Sequence, residues 1–168
     1  MKLKYIYWFS FYNPFHPTVR YRGKYPLEFL RNNYGVNSSF IYPDYNLSNI
    51  FMFFRVYFSV LLFRRRNSLI VIQSVHSNFI YGKALRILVR LRRKHTIYDI
   101  DDADYVRYPP STIYYFIKSC SALIVGSREL LKNLSRLNSN AKLITCPVPD
   151  LQIVKKKKNN RLTIGWIG

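Results

Sequence analysis

Four carboxylates fall within six residues of this chain: Asp99, Asp101, Asp102 and Asp104. The whole sequence has only eight acidic residues against 27 Lys and Arg, a formal net charge of +19, so half of its acid is gathered at one place. Thr96, Ile97 and Tyr98 just before them read as a short buried strand, and the carboxylates begin where that strand should end. At the carboxyl edge of a parallel sheet, where ligands bind, such groups can accept hydrogen bonds from ligand hydroxyls or hold arginine side chains. A solvated acidic turn balancing nearby Arg and Lys is the plain structural alternative. The other chemistry-bearing side chains are Arg20 and Arg22, each with a forked donor set that suits phosphate, then His76 and Ser127.

The elements that must position these residues follow from the hydrophobic pattern. Residues 4–10 read as a first strand, and Pro14 and Pro17 predict a loop without helix over 11–22. A helix is expected over 24–33, with Leu27, Leu30 and Tyr34 as its apolar face and Gly35 as its stop. Strand 36–42, helix 47–65 and the β-branched strand 68–73 come next. A turn at 75–78 leads into a helix over 79–94. Its inward face is expected to be Ile80, Ala84, Leu88 and Leu91, with Lys83, Arg86, Arg90 and Arg93 outward. Beyond the carboxylate strand come helix 111–119, strand 122–125, and a helix capped by Ser127 and helped by Glu129 at its positive end. That helix should bury Leu130, Leu131, Leu134 and Leu137. Strand 142–146 ends at Pro147 and Pro149.

Six strands alternating with helices predict an α/β fold: a doubly wound, Rossmann-like parallel sheet of about six strands, the first of them central. Parallel strands deliver their following loops to one edge. Arg20, Arg22, His76, the 99–104 carboxylates and Ser127 should therefore share a face, where they suit an anionic, hydroxyl-rich ligand such as a sugar phosphate.

Composition narrows the class. At 168 residues with 17% aromatics the chain can bury a core and is not of disordered type. Its charge predicts attraction to something anionic: nucleic acid, an acidic membrane surface or a phosphorylated small molecule. Cys120 and Cys146 are its two cysteines. On the expected strands they stand roughly 13–17 Å apart at about 3.3 Å per residue, too far to bridge, which fits a reducing cytoplasm. Residues 1–10 lack an uninterrupted apolar run and read as a strand, not a leader. Residues 50–63 are almost wholly apolar but short for a membrane span and contain Arg55. With Arg64, Arg65 and Arg66 following, they read as a core-facing helix or as one lying in the interface of an anionic membrane.

Residues 1–154 are thus one domain. The Lys- and Asn-rich stretch 155–160 reads as a linker, and 161–168 as the opening strand of a second domain. Three motifs, in this order, make the chain resemble the N-terminal half of a two-domain (GT-B fold) glycosyltransferase of the retaining family 4 group. These are Arg20-Tyr21-Arg22 after the first strand, Tyr98-Asp99-Ile100-Asp101-Asp102-Ala103 at the end of the fourth, and Leu123-Ile124-Val125-Gly126-Ser127 with Pro147-Val148-Pro149-Asp150 and Leu162-Thr163-Ile164-Gly165-Trp166. The likeness covers residue 5 to the end. It departs in the loop after the first strand, which is Pro-, Asn- and Phe-rich where many relatives have glycines.

The resemblance implies a nucleotide sugar as donor substrate, a glycan or lipid-linked acceptor, no metal and no further cofactor. Donor-binding residues of such enzymes lie in the second domain, so the half present would shape the acceptor site and transfer no sugar alone. It implies Arg20 and Arg22 as phosphate contacts and Asp99, Asp101, Asp102 and Ser127 as substrate-binding residues. His76 matches a histidine near the reacting sugar, and the catalytic residues are otherwise unassigned. Two other classes compete. A haloacid dehalogenase-like phosphohydrolase would use Asp99 as nucleophile and Asp101 as general acid, though no later paired acids for Mg²⁺ appear. A basic nucleic-acid or anionic-surface binder would show strong salt dependence, but no recognised nucleic-acid motif is present.

Overall fold

Hydrophobic strands flanked by amphipathic helices have one economical arrangement, and the chain adopts it. The structure, a computed structural model, describes residues 3–44, 46–62, 67–76, 79–108 and 110–145. The expected features at 64–66, 77–78 and 146–168, including Cys146, the linker and the strand at 161–168, lie outside the described residues. Six parallel strands form one sheet: β1 (Tyr5–Ser10), β2 (Asn37–Ile41), β3 (Ser68–Gln73), β4 (Thr96–Ile100), β5 (Ala122–Val125) and β6 (Ala141–Leu143). Their order is β2-β1-β3-β4-β5-β6. β1 is interior, flanked by β2 and β3, but it lies one strand from the edge and is not central. The chain reverses its direction of travel across the sheet between β1 and β3, so a topological switch point opens there.

Register carries the strand ends to one level. Ser10 pairs with Gln73, Gln73 with Asp99, and Ile100 with Val125, so the loops after β1, β3, β4 and β5 leave from a common edge.

Between β1 and β2 the structure corrects the expected loop. Helix α1 (Pro17–Val19) begins at Pro17, continues through a π-helical turn at Arg20–Lys24, and runs on as α2 (Tyr25–Tyr34). A proline at the first helical position loses nothing, because that N–H has no intrahelical partner in any case. The widened turn has its own cause in Pro26, which has no N–H to return to the carbonyl four residues back. The Tyr25 N–H reaches the Arg20 carbonyl instead. Gly35 ends α2 at φ +64, a left-handed cap that glycine adopts without steric cost. Arg20 and Arg22 therefore sit on a helix and not in a loop.

The remaining helices are α3 (Leu47–Leu62), α4 (Ile80–Arg92), α5 (Asp104–Arg107), α6 (Pro110–Ser119) and α7 (Arg128–Leu134). One face of the sheet packs α3, α4, α6 and α7 in a large core that includes Phe9, Phe53, Leu88, Tyr98, Phe116 and Val125. On the other face Leu27 of α2 and Val36 close over Ile6, Trp8 and Val71 in a smaller one. Cys120 is buried and unpaired, and burial pushes its thiol up to about 12, so it is an inert part of the core.

Helix α4 is rotated from its expected setting. Leu85, Leu88 and Val89 are its buried residues, with Gly82 and Arg92, while Ile80 and Leu91 are exposed. The helix carries two neighbouring apolar stripes, and periodicity cannot tell which of them meets the sheet. Lys83, Arg90 and Arg93 are exposed as expected. Urea unfolding distinguishes the stripes: Leu85→Ala should cost about 2–5 kcal/mol as a core truncation, and Leu91→Ala about 0.5 kcal/mol or less as a surface change.

Candidate functional site

The carboxylates of β4 find their first partner 77 residues earlier in the chain. Arg22, on the π turn, lies across the end of β4 with Nη2 donating to Asp99 Oδ1 at 2.5 Å and Nε to Asp99 Oδ2 at 3.2 Å. Nη1 donates to the Ile144 carbonyl at 2.7 Å and comes within 3.4 Å of Asp101 Oδ1. Arg22 and Asp99 are 6% and 2% exposed, so this is a buried bidentate pair. Burial raises the Asp99 carboxyl above its ordinary range and Arg22 opposes that shift. Because both oxygens accept from one guanidinium, the group is held as a carboxylate at neutral pH.

A second set of contacts seats the same turn. The Trp8 indole N–H donates to Gln73 Oε1 at 2.9 Å, and Gln73 Nε2 donates to the Thr18 carbonyl at 3.3 Å. Gly23 packs where a Cβ would meet Gln73 and Trp8 at 3.2 Å. Gly126, after β5, is tighter still: a Cβ there would fall 2.1 Å from Asp101 Oδ1 and 3.0 Å from the Asp101 carbonyl oxygen. Burial raises the Asp101 carboxyl, while Arg22 and a hydrogen bond from the Thr18 side chain pull it down.

Beyond Asp101 the acid run turns into the short helix α5, which the sequence pattern did not anticipate. Asp102 is exposed and Asp104 half-buried. Burial, with the charges of Asp102 and Asp101, raises Asp104 to about 6, and Arg107 partly opposes this. A carboxyl near that value exchanges its proton close to neutrality, as general acid–base chemistry requires.

His76 lies among aromatic rings, one of them Tyr108 at the end of α5. It stacks on Tyr108 at 3.7 Å between ring centroids and contacts Phe11 at 4.1 Å. Burial lowers its pKa, so the ring is neutral at pH 7. Nδ1 stands 3.0 Å from the Ser74 carbonyl, which can only accept, so the proton is on Nδ1 and Nε2 keeps its lone pair. Ser74 adopts φ +50 to present that carbonyl, a left-handed conformation in a non-glycine residue at the switch point. Tyr12 bonds to Tyr108, and burial with that bond raises its phenol well above the usual range.

Arg22, Asp99 and Asp101 thus meet directly, and Asp102 and Asp104 are coupled to Asp101 by charge. Arg20 stands apart from them: its guanidinium lies over Tyr21 at 5.4 Å, and its buried Nε has no hydrogen-bond partner among the described residues. The Ser127 Oγ accepts the Leu130 N–H at 3.2 Å, the cap its sequence position suggested. Gln73, Tyr12 and Tyr108 carry no signal in the sequence pattern, and Gly126 is named there only as part of a motif. Asp104 is expected at this face as the last member of the 99–104 acid run. Among the described residues no group of three or more His, Cys, Asp or Glu is placed to hold a metal ion.

The fold and this edge define the class: a Rossmann-like α/β domain with a charged and aromatic cluster at its switch point. Compared with known proteins, the chain matches no family model, no curated protein and no solved structure.

Two measurements check the site. Arg22→Met should destabilise by about 3–5 kcal/mol, because Asp99 is left charged and buried. Adding Asp99→Leu should recover much of that loss in urea unfolding; a double variant as unstable as the sum of the singles would mean the pair is not the stabilising unit. Asp104 titrates higher in the folded chain than in the unfolded one, so its contribution is fully present below about pH 4 and is lost as pH rises through about 6. Asp104→Asn should therefore remove a fall in stability across that window, about 1 kcal/mol after allowing for solvent screening.

Proposed function

We propose that the chain is the acceptor-side half of a two-domain glycosyltransferase. It moves a sugar from a nucleotide-sugar donor to a glycan or lipid-linked acceptor in surface polysaccharide or glycolipid synthesis, at the inner face of a membrane. The observation that carries this reading is the arrangement at the carboxyl edge. A buried Arg22–Asp99 pair fixes the helix after β1 onto the end of β4, and the groups left to face a ligand are Asp101, Asp102, Asp104 and the Ser127 hydroxyl. These are acceptors and a donor suited to sugar hydroxyls. Arg20, half-buried, is the phosphate contact in this reading, through its guanidinium.

Arg22 and Asp99 then act as positioning residues, not ligand contacts. Asp104, raised to about 6, is the group placed for proton transfer near neutrality in this reading, and neutral His76 can accept a hydrogen bond at Nε2. Donor binding belongs to a second Rossmann-like half, because the departing diphosphate needs donors from that side, and closure of the two halves excludes water.

Geometry weighs against the phosphohydrolase alternative. A nucleophilic Asp99 must present a free oxygen to phosphorus, yet both its oxygens are engaged and the residue is 2% exposed. The nucleic-acid alternative has in its favour the net charge of +19 and the exposed Lys83 and Arg90 along α4 with Arg93 just after it, with no recognised nucleic-acid motif beside them.

The test is calorimetric titration of the 168-residue chain with a panel of nucleotide sugars, alone and then joined to a donor-binding half. Little or no donor binding is expected alone. With the second half, transfer should appear and should fall at least tenfold in Arg20→Ala. Tight donor binding or turnover by the chain alone would overturn the division of labour. Phosphate release from p-nitrophenyl phosphate with Mg²⁺, abolished by Asp99→Asn, would restore the phosphohydrolase.

A further inference from the structure

Helix α3 carries more apolar surface than the sheet covers. Phe53, Tyr57 and Val60 face the core, but Leu47, Phe51, Phe54, Phe58 and Leu62 form a second stripe, at steps of three and four residues, that faces solvent. Phe51 and Leu62 are 73% and 72% exposed. Its neighbour α4, joined to it by a 2.9 Å hydrogen bond from the Tyr57 hydroxyl to the Ala84 carbonyl, repeats the pattern with Ile80, Ile87 and Leu91 outward. Between them lies a groove of about 390 Å³, lined by Tyr42, Ile50, Phe53, Phe54, Phe79 and Ile80. Its polar lining is turned on itself, with Asn49 Nδ2 donating to Asp44 at 2.6 Å.

The charges around this face say what covers it. Exposed Arg55 borders the α3 stripe, exposed Lys83 and Arg90 border that of α4, and Arg64, Arg65 and Arg66 follow α3 in the sequence. Asp44, at the groove, is the one acidic residue on the 42–62 and 79–92 segments. A protein interface core is depleted in charge at its centre and mixed at its rim. An apolar stripe with aromatic side chains and cationic margins is the pattern of a helix lying in a lipid interface, its rings in the acyl boundary and its cations on anionic headgroups. Among the described residues no helix is long and apolar enough to cross a membrane, so such a helix would lie flat.

We infer that the outward face of α3 and α4 seats this chain on an anionic lipid bilayer, and that the groove between them takes one hydrocarbon chain of a membrane lipid. This rests on the membrane part of the proposed function and is independent of sugar transfer. The two exposed stripes would lie in the acyl boundary, and the groove, which shares Ile50, Phe54 and Ile80 with them or their margins, would open from the same plane.

A fluorescent reporter tests it. The full-length chain carrying Phe54→Trp is mixed with vesicles of equal phosphatidylcholine and phosphatidylglycerol, with and without bromine on the acyl chains. Unsubstituted protein sets the background from its own two tryptophans. The added indole should shift to the blue and be quenched by acyl bromine, and binding should weaken as salt rises. The pair Phe51→Ser and Phe58→Ser, both exposed, should lower vesicle affinity at least tenfold with an unchanged urea unfolding curve. Vesicle binding with no quenching, and no loss in the serine pair, would overturn this face while leaving membrane association standing. No binding at low salt would overturn both. A dimer in light scattering that the serine pair abolishes, without vesicle binding, would make the face a contact between two copies and overturn the lipid assignment.

Discussion

One buried ion pair holds the carboxyl edge of this sheet together. Asp99 lies next to the end of a buried strand, where an unpartnered carboxylate would be costly. Its two oxygens are satisfied only because the helix after β1 opens into a π turn and brings Arg22 across the sheet. That single guanidinium also reaches Asp101 and the Ile144 carbonyl beyond β6. Segments following β1, β4 and β6 thus depend on one side chain. The switch point between β1 and β3 is therefore a braced corner, and the remaining acids project from it at defined places.

Packing around the corner shows how little room it allows. Gly126 lets the β5 turn pass directly against Asp101, and Gly23 lets the π turn close on Trp8 and Gln73. Ser74 accepts a left-handed backbone to aim its carbonyl at His76. Each of these is a local cost offset by the large core on one face of the sheet. The same division explains why α3 and α4 can leave apolar side chains outside: their inner stripes already fill the space over the sheet.

Much of the fold was legible in the sequence because strands and helices announce themselves locally. The β-branched run from Ser68, the glycine that caps α2 and the serine that caps α7 each act through neighbours within a few residues, and each appears where expected. What escaped was non-local. Pro17 by pattern alone speaks against helix, although at the first helical position it favours one. The α4 face was misjudged because two apolar stripes offered equal periodicity. Arg22 and the 99–104 acids were both recognised as chemically loaded, and their pairing required the third dimension. The sequence leaves these acids either ligand hydroxyls or arginine side chains as partners; in the fold Arg22 is the partner of Asp99 and reaches Asp101.

The π turn has a consequence for how this segment can vary over evolutionary time. A helix residue advances the side-chain direction by roughly a third of a turn, so adding or removing one residue between Pro17 and Pro26 would swing Arg22 away from Asp99. The residues from Asn13 to Phe15 can change, since they sit outside that gauge and away from the His76 ring cluster. The stretch from Pro17 to Pro26 cannot change its length without also supplying a new counter-charge for β4. A short irregular turn thus acts as a spacer that fixes chain length, setting a stricter limit on insertions and deletions than the regular helix that follows it.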